Sequence, residues 1–176
     1  MRPDNGRIGF VPVQAEHLPL LHRWLTAPHM REWWGDPETE LGFIRDMIEG
    51  RDTTRPFLIT LDDAPVGYIQ YWYVGHHQNQ PWIQNHPWLM EFPSDTIGVD
   101  LSIGETGKLS QGIGSAALSA FVRMLRDEGH DHIIIDPDPA NARAVRAYEK
   151  AGFRTAMLAQ AHDGPVLLMV HGGAPS

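Results

Sequence analysis

Cysteine is absent from the 176 residues of the chain. This excludes disulfide scaffolds, thiol nucleophiles and cysteine-ligated zinc or iron–sulfur sites, and it favours a reducing compartment such as the cytoplasm. No apolar run approaches the roughly 18 residues that would span a bilayer. The segment Met1–Gly6 also lacks the basic and then apolar pattern of a signal peptide. We therefore expect a cytoplasmic protein with no membrane partner.

Positive charge is also scarce. The chain has 14 Lys and Arg residues against 22 Asp and Glu residues, which gives a formal net charge of −8. A general nucleic-acid-binding protein usually has the opposite sign, whereas an acidic protein attracts a cationic partner. The close histidine pairs, His76-His77 and His130-x-His132, have no third ligand at a recognisable spacing, so we expect no metal site.

What remains is the composition of a folded domain. Hydrophobic residues make up 42% of the chain and charged residues 20%, which are ordinary values for a globular protein. A chain of this length buries roughly 70% of its unfolded surface without a disulfide or metal staple. We therefore predict that residues 1–176 form a single domain.

Residue periodicity predicts an α/β protein with a mixed sheet and helices on both faces. Pro28 is expected to stop the first helix, and Glu32–Gly35 to form a turn. The segment Gly75–Asp95 is rich in His, Asn, Gln, Pro and Trp, and a loop of this length inside a domain is typical of a lid or binding loop. Predicted strands cover 7–13, 56–61, 66–74, 96–103, 132–136, 153–160 and 166–171, and predicted helices cover 15–27, 36–49, 112–128 and 138–151.

A glycine-containing segment, Leu109–Ala116, opens the strongest predicted helix. A helix N-terminus offers free N–H groups and the positive end of a dipole, which together suit a phosphate group. Two alternatives remain open from the residues alone. The segment could be a plain turn, or it could be a variant dinucleotide fingerprint, Gly112-x-Gly114-x-x-Ala117, with Asp136 as the ribose-binding acid. The long stretch between the preceding strand and these glycines counts against the second alternative.

Three aspartates occupy positions that are typical of catalytic or ligand-binding residues. Asp100 lies on the face of its strand opposite to that of Val99 and Leu101, and a buried carboxylate on a strand covered on both faces is costly unless it has a function. The alternative is a solvated acid at an edge or at a strand end. Asp136 ends an apolar strand, where ligands of α/β sheets gather, although it could instead cap the next helix. Asp163 lies in a predicted hairpin turn, where Asp-Gly is expected for geometry alone.

The chain resembles the GNAT superfamily of N-acetyltransferases. The resemblance rests on the glycine segment, the strand His132–Asp136, and the run Asn141-x-x-Ala144-x-x-x-Tyr148-Glu149-Lys150-Ala151-Gly152-Phe153. Within the superfamily it resembles the aminoglycoside 6′-N-acetyltransferases from about Ile8 to Val170. Leu109 departs from the Arg or Gln that the superfamily has at that point, and Ser110 replaces a frequent glycine. The stretches shared with the 6′-enzymes are Glu32–Gly35, Pro65–Gln70, Gly98–Asp100, Asp136–Asn141, Tyr148–Phe153 and Asp163–Pro165 with Met169-Val170.

The resemblance implies a fold with a splayed strand pair, acetyl-CoA as co-substrate, no metal, and a primary amine as acceptor. It implies that Asp100 is the base and that Tyr148 protonates the leaving thiolate, although a tyrosine at helical spacing is more often a core residue. Implied acceptor-binding residues are Trp33, Trp34, Gln70, Trp88, Asp136 and Asp163. Implied donor-binding residues are Leu101, Ser102, Ile103, Gln111, Gly112, Ile113, Gly114, Ser115, Ala116, Asn141 and Tyr148.

The acceptor is predicted to be the 6′-amine of an aminoglycoside, a cationic small molecule. The alternatives are another small amine, such as a siderophore hydroxylysine or a polyamine, or a CoA-binding module without turnover. Siderophore-type acyltransferases tend to have a His in the strand where Asp100 stands, which favours the antibiotic. The residues are compatible with a monomer or a homodimer.

Overall fold

The computed structural model describes residues 7–105, 107 and 112–172. Short 3₁₀ turns occupy Ala15–His17, Val74–His77 and Pro87–Glu91. The strands are β1 (Ile8–Pro12), β2 (Arg55–Leu61), β3 (Ala64–Tyr73), β4 (Ile97–Ile103), β5 (Ile133–Ile135), β6 (Phe153–Ala161) and β7 (Gly164–His171). The helices are α1 (Leu18–Leu25), α2 (Pro28–Trp34), α3 (Pro37–Ile48), α4 (Trp82–Asn85), α5 (Ile113–Asp127) and α6 (Ala142–Lys150).

The strands form a seven-stranded sheet in the order β1-β2-β3-β4-β5-β7-β6. β4 and β5 run parallel, whereas the pairs β1–β2, β5–β7 and β6–β7 are antiparallel. The predicted mixed α/β class is therefore confirmed. In the described part of the chain, no helix combines the length and apolar character needed to cross a membrane.

The chain divides into two compact units, of which the first comprises Met1–Gln70 with Leu101–Ala117. Its core forms where the apolar face of α1 meets α3 and β2, with Leu21, Trp24 and Leu58 almost fully buried. α3 begins where the sequence predicts, because the Asp36 carboxylate accepts a hydrogen bond from the Thr39 N–H at 2.9 Å and Pro37 takes the first helical position.

The second unit comprises Tyr71–Asp100 with Leu118–Ser176. β5 is a continuous apolar run, Ile133–Ile135, because its side chains are buried on both faces of the sheet. It pairs with β4 on one side and with β7 on the other. Phe121 on α5 and Phe153 on β6 are fully buried in this unit. It contains Asp100, Asp136 and Tyr148.

Three details differ from the sequence prediction. Pro28 does stop α1, but it also begins α2, so Glu32–Trp34 are helical and not a turn. The segment Gly75–Asp95 is broken by α4 and by 3₁₀ turns, so it is not a continuous loop. α6 begins at Ala142, because its cap is Asn141, whose side chain accepts from the Ala144 N–H at 3.2 Å. Asp138 instead accepts a hydrogen bond from the Ala140 N–H, in a turn before the helix.

Candidate active site

Two carboxyl groups meet at the end of a parallel strand pair. β4 and β5 are in register from Ile97 opposite Ile133 to Val99 opposite Ile135. The residues that follow the last pair are Asp100 and Asp136, so the parallel register brings them to the same edge of the sheet. Their side chains are hydrogen-bonded to each other. Because α6 is capped by Asn141, Asp136 does not serve as the cap of that helix.

This contact requires a shared proton. Burial raises the pKa of Asp136 well above its usual range, and the charge of Asp100 and the hydrogen bond to it raise the pKa further. Two ionised carboxylates in contact repel each other, so the pair holds one proton while one carboxylate remains charged. Because burial is the largest cause of the raised pKa of Asp136, we infer that the proton of the pair lies on Asp136 and the negative charge on Asp100.

Tyr148 on α6 completes the cluster. Burial raises the pKa of its phenol above the ordinary value, and the negative charge of the Asp100–Asp136 pair raises it further. The phenol therefore keeps its proton at neutral pH and is available as a hydrogen-bond or proton donor. A base, its protonated neighbour and a protonated phenol are the parts that general acid–base catalysis requires.

A cavity of about 160 Å³ opens beside this cluster, and Asp136 forms part of its wall. A cavity of roughly 150 Å³ accommodates one six-membered ring. Of the predicted acceptor-binding residues, Trp88 and Asp136 line it. Sequence analysis assigns the other lining residues no role, although the high content of Trp and His around Gly75–Asp95 indicates a binding segment there. These other residues are Trp72, His77, Trp82, His86 and Leu89.

The cavity wall is a network of edge-on rings. His77 lies 5.2 Å from Trp72 and 4.8 Å from Trp82, measured between ring centroids, and Trp88 lies 6.5 Å from Trp72. The buried atoms His86 Nδ1 and Trp88 Nε1 have no hydrogen-bond partner among the described residues. Burial lowers the pKa of His86 more than the carboxylate of Asp163 raises it, so the imidazole of His86 is neutral at neutral pH.

The remaining predicted acceptor-binding residues have different surroundings. Asp163 is exposed in the turn between β6 and β7, and its charge acts on His86 in the cavity wall. Trp33, Trp34 and Gln70 belong to the other compact unit and do not line the cavity. There, Trp33 is 41% exposed, and Trp34 packs edge-on against Tyr68, whose hydroxyl donates to Gln70 Oε1 at 2.6 Å.

The predicted donor-binding residues that the structure describes offer backbone groups and small side chains. Gly112 has a positive φ of 77° with open space where a Cβ would stand, and it is followed by the first turn of α5 with Ile113, Gly114, Ser115 and Ala116. The leading N–H groups of a helix lack intrahelical acceptors.

The end of β4 and the start of α6 carry the other donor-binding candidates. Leu101 is nearly buried, the buried Ser102 Oγ has no partner among the described residues, and the Ile103 carbonyl accepts from His29 Nε2 at 2.9 Å. Asn141 uses its side-chain oxygen as a helix cap, so its amide N–H groups are what it can offer a ligand. Gln111, with Leu109 and Ser110, lies outside the described residues.

Free helix N–H groups beside a glycine with open space suit a phosphate-bearing group. The orphaned hydroxyl of Ser102 and the strand end beside it suit an amide-bearing chain. These residues therefore fit a phosphorylated acyl donor. Within the described ranges, no group of three or more His, Cys, Asp or Glu side chains is placed to hold a metal ion.

The mixed sheet, the helix start after a glycine and the acid–base cluster define a class of acyl-transferring enzymes. The family model described as an acetyltransferase (GNAT) domain matches residues 13–161. The chain therefore belongs to the GNAT acetyltransferase family and is an acetyltransferase, as the sequence resemblance predicted.

Several similar proteins and structures are aminoglycoside 6′-N-acetyltransferases. The aminoglycoside N(6′)-acetyltransferase type 1 of Klebsiella pneumoniae is 31% identical over 166 residues, which cover 90% of this chain and 80% of that protein. The structure of AAC(6′)-Ib in complex with acetyl-CoA and parmomycin has a TM-score of 0.81 and 27% identity, with 93% of this chain and 92% of that chain covered. The structure of AAC(6′)-Ib with coenzyme A and kanamycin has a TM-score of 0.79 and 28% identity, covering 93% and 94%. The predicted resemblance to this group is confirmed.

Proposed function

We propose that this protein transfers the acetyl group of acetyl-CoA to the 6′-amine of an aminoglycoside. The observation that carries the proposal is the cluster of Asp100, Asp136 and Tyr148 beside a cavity of about 160 Å³. Relatives named aminoglycoside N(6′)-acetyltransferase, and similar structures that bind acetyl-CoA or coenzyme A together with aminoglycosides, support this donor and this acceptor.

Attack needs a neutral amine, so an acceptor that arrives as an ammonium group first releases one proton. The amine nitrogen then forms a bond to the acetyl carbonyl carbon, the carbon–sulfur bond breaks, and the nitrogen loses a second proton while the sulfur gains one. Ionised Asp100 accepts a proton from the amine, directly or through a water molecule. Protonated Asp136 donates a hydrogen bond that orients Asp100. The phenol of Tyr148, which stays protonated, is the donor for the sulfur that leaves as a thiol.

The donor would be held by residues that bind without side-chain charge. The first turn of α5 after Gly112 would bind the pyrophosphate through the backbone N–H groups of Ile113, Gly114 and Ser115. The Ala116 N–H instead donates to the Gly112 carbonyl at 3.1 Å. Leu101, Ser102 and Ile103 would pair with the amides of the pantetheine arm, and Asn141 would donate to the same arm. Trp33, Trp34, Gln70 and Asp163 remain proposed acceptor contacts, with Trp88 and Asp136 in the cavity.

Release of free thiol from acetyl-CoA tests this function. The acceptor panel contains kanamycin and tobramycin, an aminoglycoside with a 6′-hydroxyl, spermidine, and lysine derivatives. We expect turnover with the 6′-amino compounds and none with the 6′-hydroxyl compound. Turnover confined to spermidine or the lysine derivatives would reassign the acceptor to another small amine. Acetyl-CoA binding without any turnover would indicate a non-catalytic module.

We further propose that residues 1–176 act as one acetyltransferase domain. The family match from 13 to 161 includes parts of both compact units, which supports this reading. The formal net charge of −8 suits a cationic small-molecule acceptor. Since acetyl-CoA is supplied in the cytoplasm, we expect the reaction to take place there. Light scattering of the purified protein distinguishes a monomer from a homodimer.

A further inference from the structure

The cavity beside the carboxylate pair has a flat indole as part of its wall. Trp72, at the end of β3, contacts Trp88 and His77 edge-on, and these contacts fix the plane of its ring. Its side chain is only partly buried, so part of the indole surface is available to a ligand in the cavity. An aromatic face fixed in this way binds the apolar face of a ring.

Gly98 is what allows this indole to lie where it does. A Cβ added at Gly98 would collide with the Cε2, Cζ2 and Nε1 atoms of Trp72. The indole therefore lies directly over Gly98, on the face of β4 to which that Cβ would point. A side chain of any size at position 98 would displace Trp72 from the cavity wall.

The indole and the proposed base occupy the same face of one strand. Side chains two positions apart on a strand point to the same face, about 7 Å from each other along the chain. Asp100 therefore projects beside the indole that covers Gly98. A six-membered ring in contact with the indole would therefore direct an amine on a single exocyclic carbon towards the neighbouring Asp100 carboxylate. The cavity volume of about 160 Å³ matches the same ligand size.

The chemistry of the wall points to the same class of ligand. Apart from Asp136, the lining residues are aromatic, imidazole or aliphatic, and the pair of carboxyl groups keeps a single negative charge. A wall of this kind contacts ring carbon atoms well, but it gives the second and third ammonium groups of an extended polyamine no partners. This inference rests on the proposed function and narrows its acceptor.

We propose that Trp72, held in place by Gly98, is a specificity-determining residue that selects amines attached through one carbon to a six-membered ring over linear amines. The ring stacks on the indole, and the exocyclic amine reaches Asp100. The selection acts on acceptor binding, so it changes KM for the acceptor more than kcat.

The test uses two probes with seven carbons each, cyclohexylmethylamine and n-heptylamine, beside kanamycin. The wild-type protein is expected to prefer the cyclic probe in kcat/KM by about tenfold, the equivalent of one good aromatic contact. Trp72→Leu should reduce this ratio to near one and raise KM for kanamycin by about tenfold, with a smaller change in kcat. Trp72→Tyr, which retains an aromatic ring, should keep most of the preference.

Gly98→Ala provides an independent variant, because it leaves Trp72 in the chain and displaces its ring. It should lower the cyclic preference as Trp72→Leu does. Gly42→Ala is the matched control, since a Cβ at Gly42 in α3 meets nothing within 4 Å, and it should leave the ratio unchanged. Circular dichroism establishes that each variant is folded, and Trp72→Tyr still decides the question if Gly98→Ala does not fold.

The outcomes separate this inference from the proposed function. Equal losses on the cyclic and linear probes in Trp72→Leu, or a loss in kcat alone, would overturn the role of Trp72 while acetylation of kanamycin stands. If the wild-type protein acetylates the amine probes but no aminoglycoside, the proposed function fails. The ratio of the two probes then still decides whether Trp72 selects ring-bearing amines.

Discussion

The two carboxyl groups of the candidate site should respond differently to neutralisation. Asp100 and Asp136 are hydrogen-bonded, and the pKa of Asp136 is raised by burial and then by Asp100. Asparagine has the shape of a protonated aspartic acid and no charge. Asp136→Asn therefore preserves the charge state inferred for the working enzyme, whereas Asp100→Asn removes the ionised carboxylate.

The repulsion between two ionised carboxylates determines how differently the two variants should affect kcat. Two negative charges about 4 Å apart in a partly exposed site repel each other by about 4 kcal/mol, which is enough to keep one of them protonated at neutral pH. We expect Asp136→Asn to lower kcat by less than about tenfold, whereas loss of the general base in Asp100→Asn should cost about 10² to 10⁴ in kcat. Neither variant should weaken binding of acetyl-CoA.

Thiol release with saturating acetyl-CoA and kanamycin measures these kcat values, and calorimetry measures acetyl-CoA binding. The pH profile adds a second test, because Asp136 loses its proton at the raised pKa. The wild-type rate should change as that proton leaves, and Asp136→Asn should lack this part of the profile. Equal losses in the two variants would refute the reasoning, since both carboxylates would then have to be ionised.

The other predictions concern the phenol, the core and the C-terminal strand. Tyr148→Phe should lower kcat about 10²-fold with KM for acetyl-CoA unchanged; full activity would make Tyr148 a core residue only. Phe121 is fully buried, so Phe121→Ala should lower the free energy of unfolding by about 3–5 kcal/mol. Phe43 is 51% exposed, so Phe43→Ala should lower it by about 0.5 kcal/mol or less. Urea titration measures both values. The pKa of His171 is lowered by burial and then by Arg126, so its folded form binds protons less readily than its unfolded form. Neutral His171 therefore contributes its full stabilisation above the unfolded pKa of about 6.5, and this is lost as the pH falls from there through the folded pKa. His171→Gln should make the urea midpoint less dependent on pH. A pH dependence equal to that of the wild-type protein would contradict this.

The elements that the sequence predicts well are those with a local physical signal. Asp36 followed by Pro37 marks the start of α3, because the cap and the first helical position are both set by short-range chemistry. The turn between β2 and β3 follows from Asp62 and Asp63, which both adopt positive φ. The sequence prediction does not include α2, because a proline is a signal both for the end of one helix and for the start of the next, and Pro28 serves as both.

The meeting of Asp100 with Asp136 depends on information that no local pattern contains. Sequence analysis placed each residue on its strand, but their contact depends on the parallel register that ends with Val99 opposite Ile135. A shift of that register by one residue would turn one of the two side chains to the opposite face of the sheet. The raised pKa of Asp136 is likewise a property of the pair and not of either residue's neighbours in the chain.

The net charge of the protein and the shape of the cavity contribute to acceptor recognition in different ways. The formal net charge of −8 acts at long range, so it raises the rate at which any polycation meets the protein and does not distinguish one polycation from another. Discrimination has to come from the cavity, where the lining is aromatic and Asp136 is its one acidic residue. Because Asp100 and Asp136 share a proton, the cavity matches a single cation attached to an apolar ring face. The composition of the chain therefore predicts a cationic partner, and the position of Trp72 over Gly98 specifies which part of that partner enters the site.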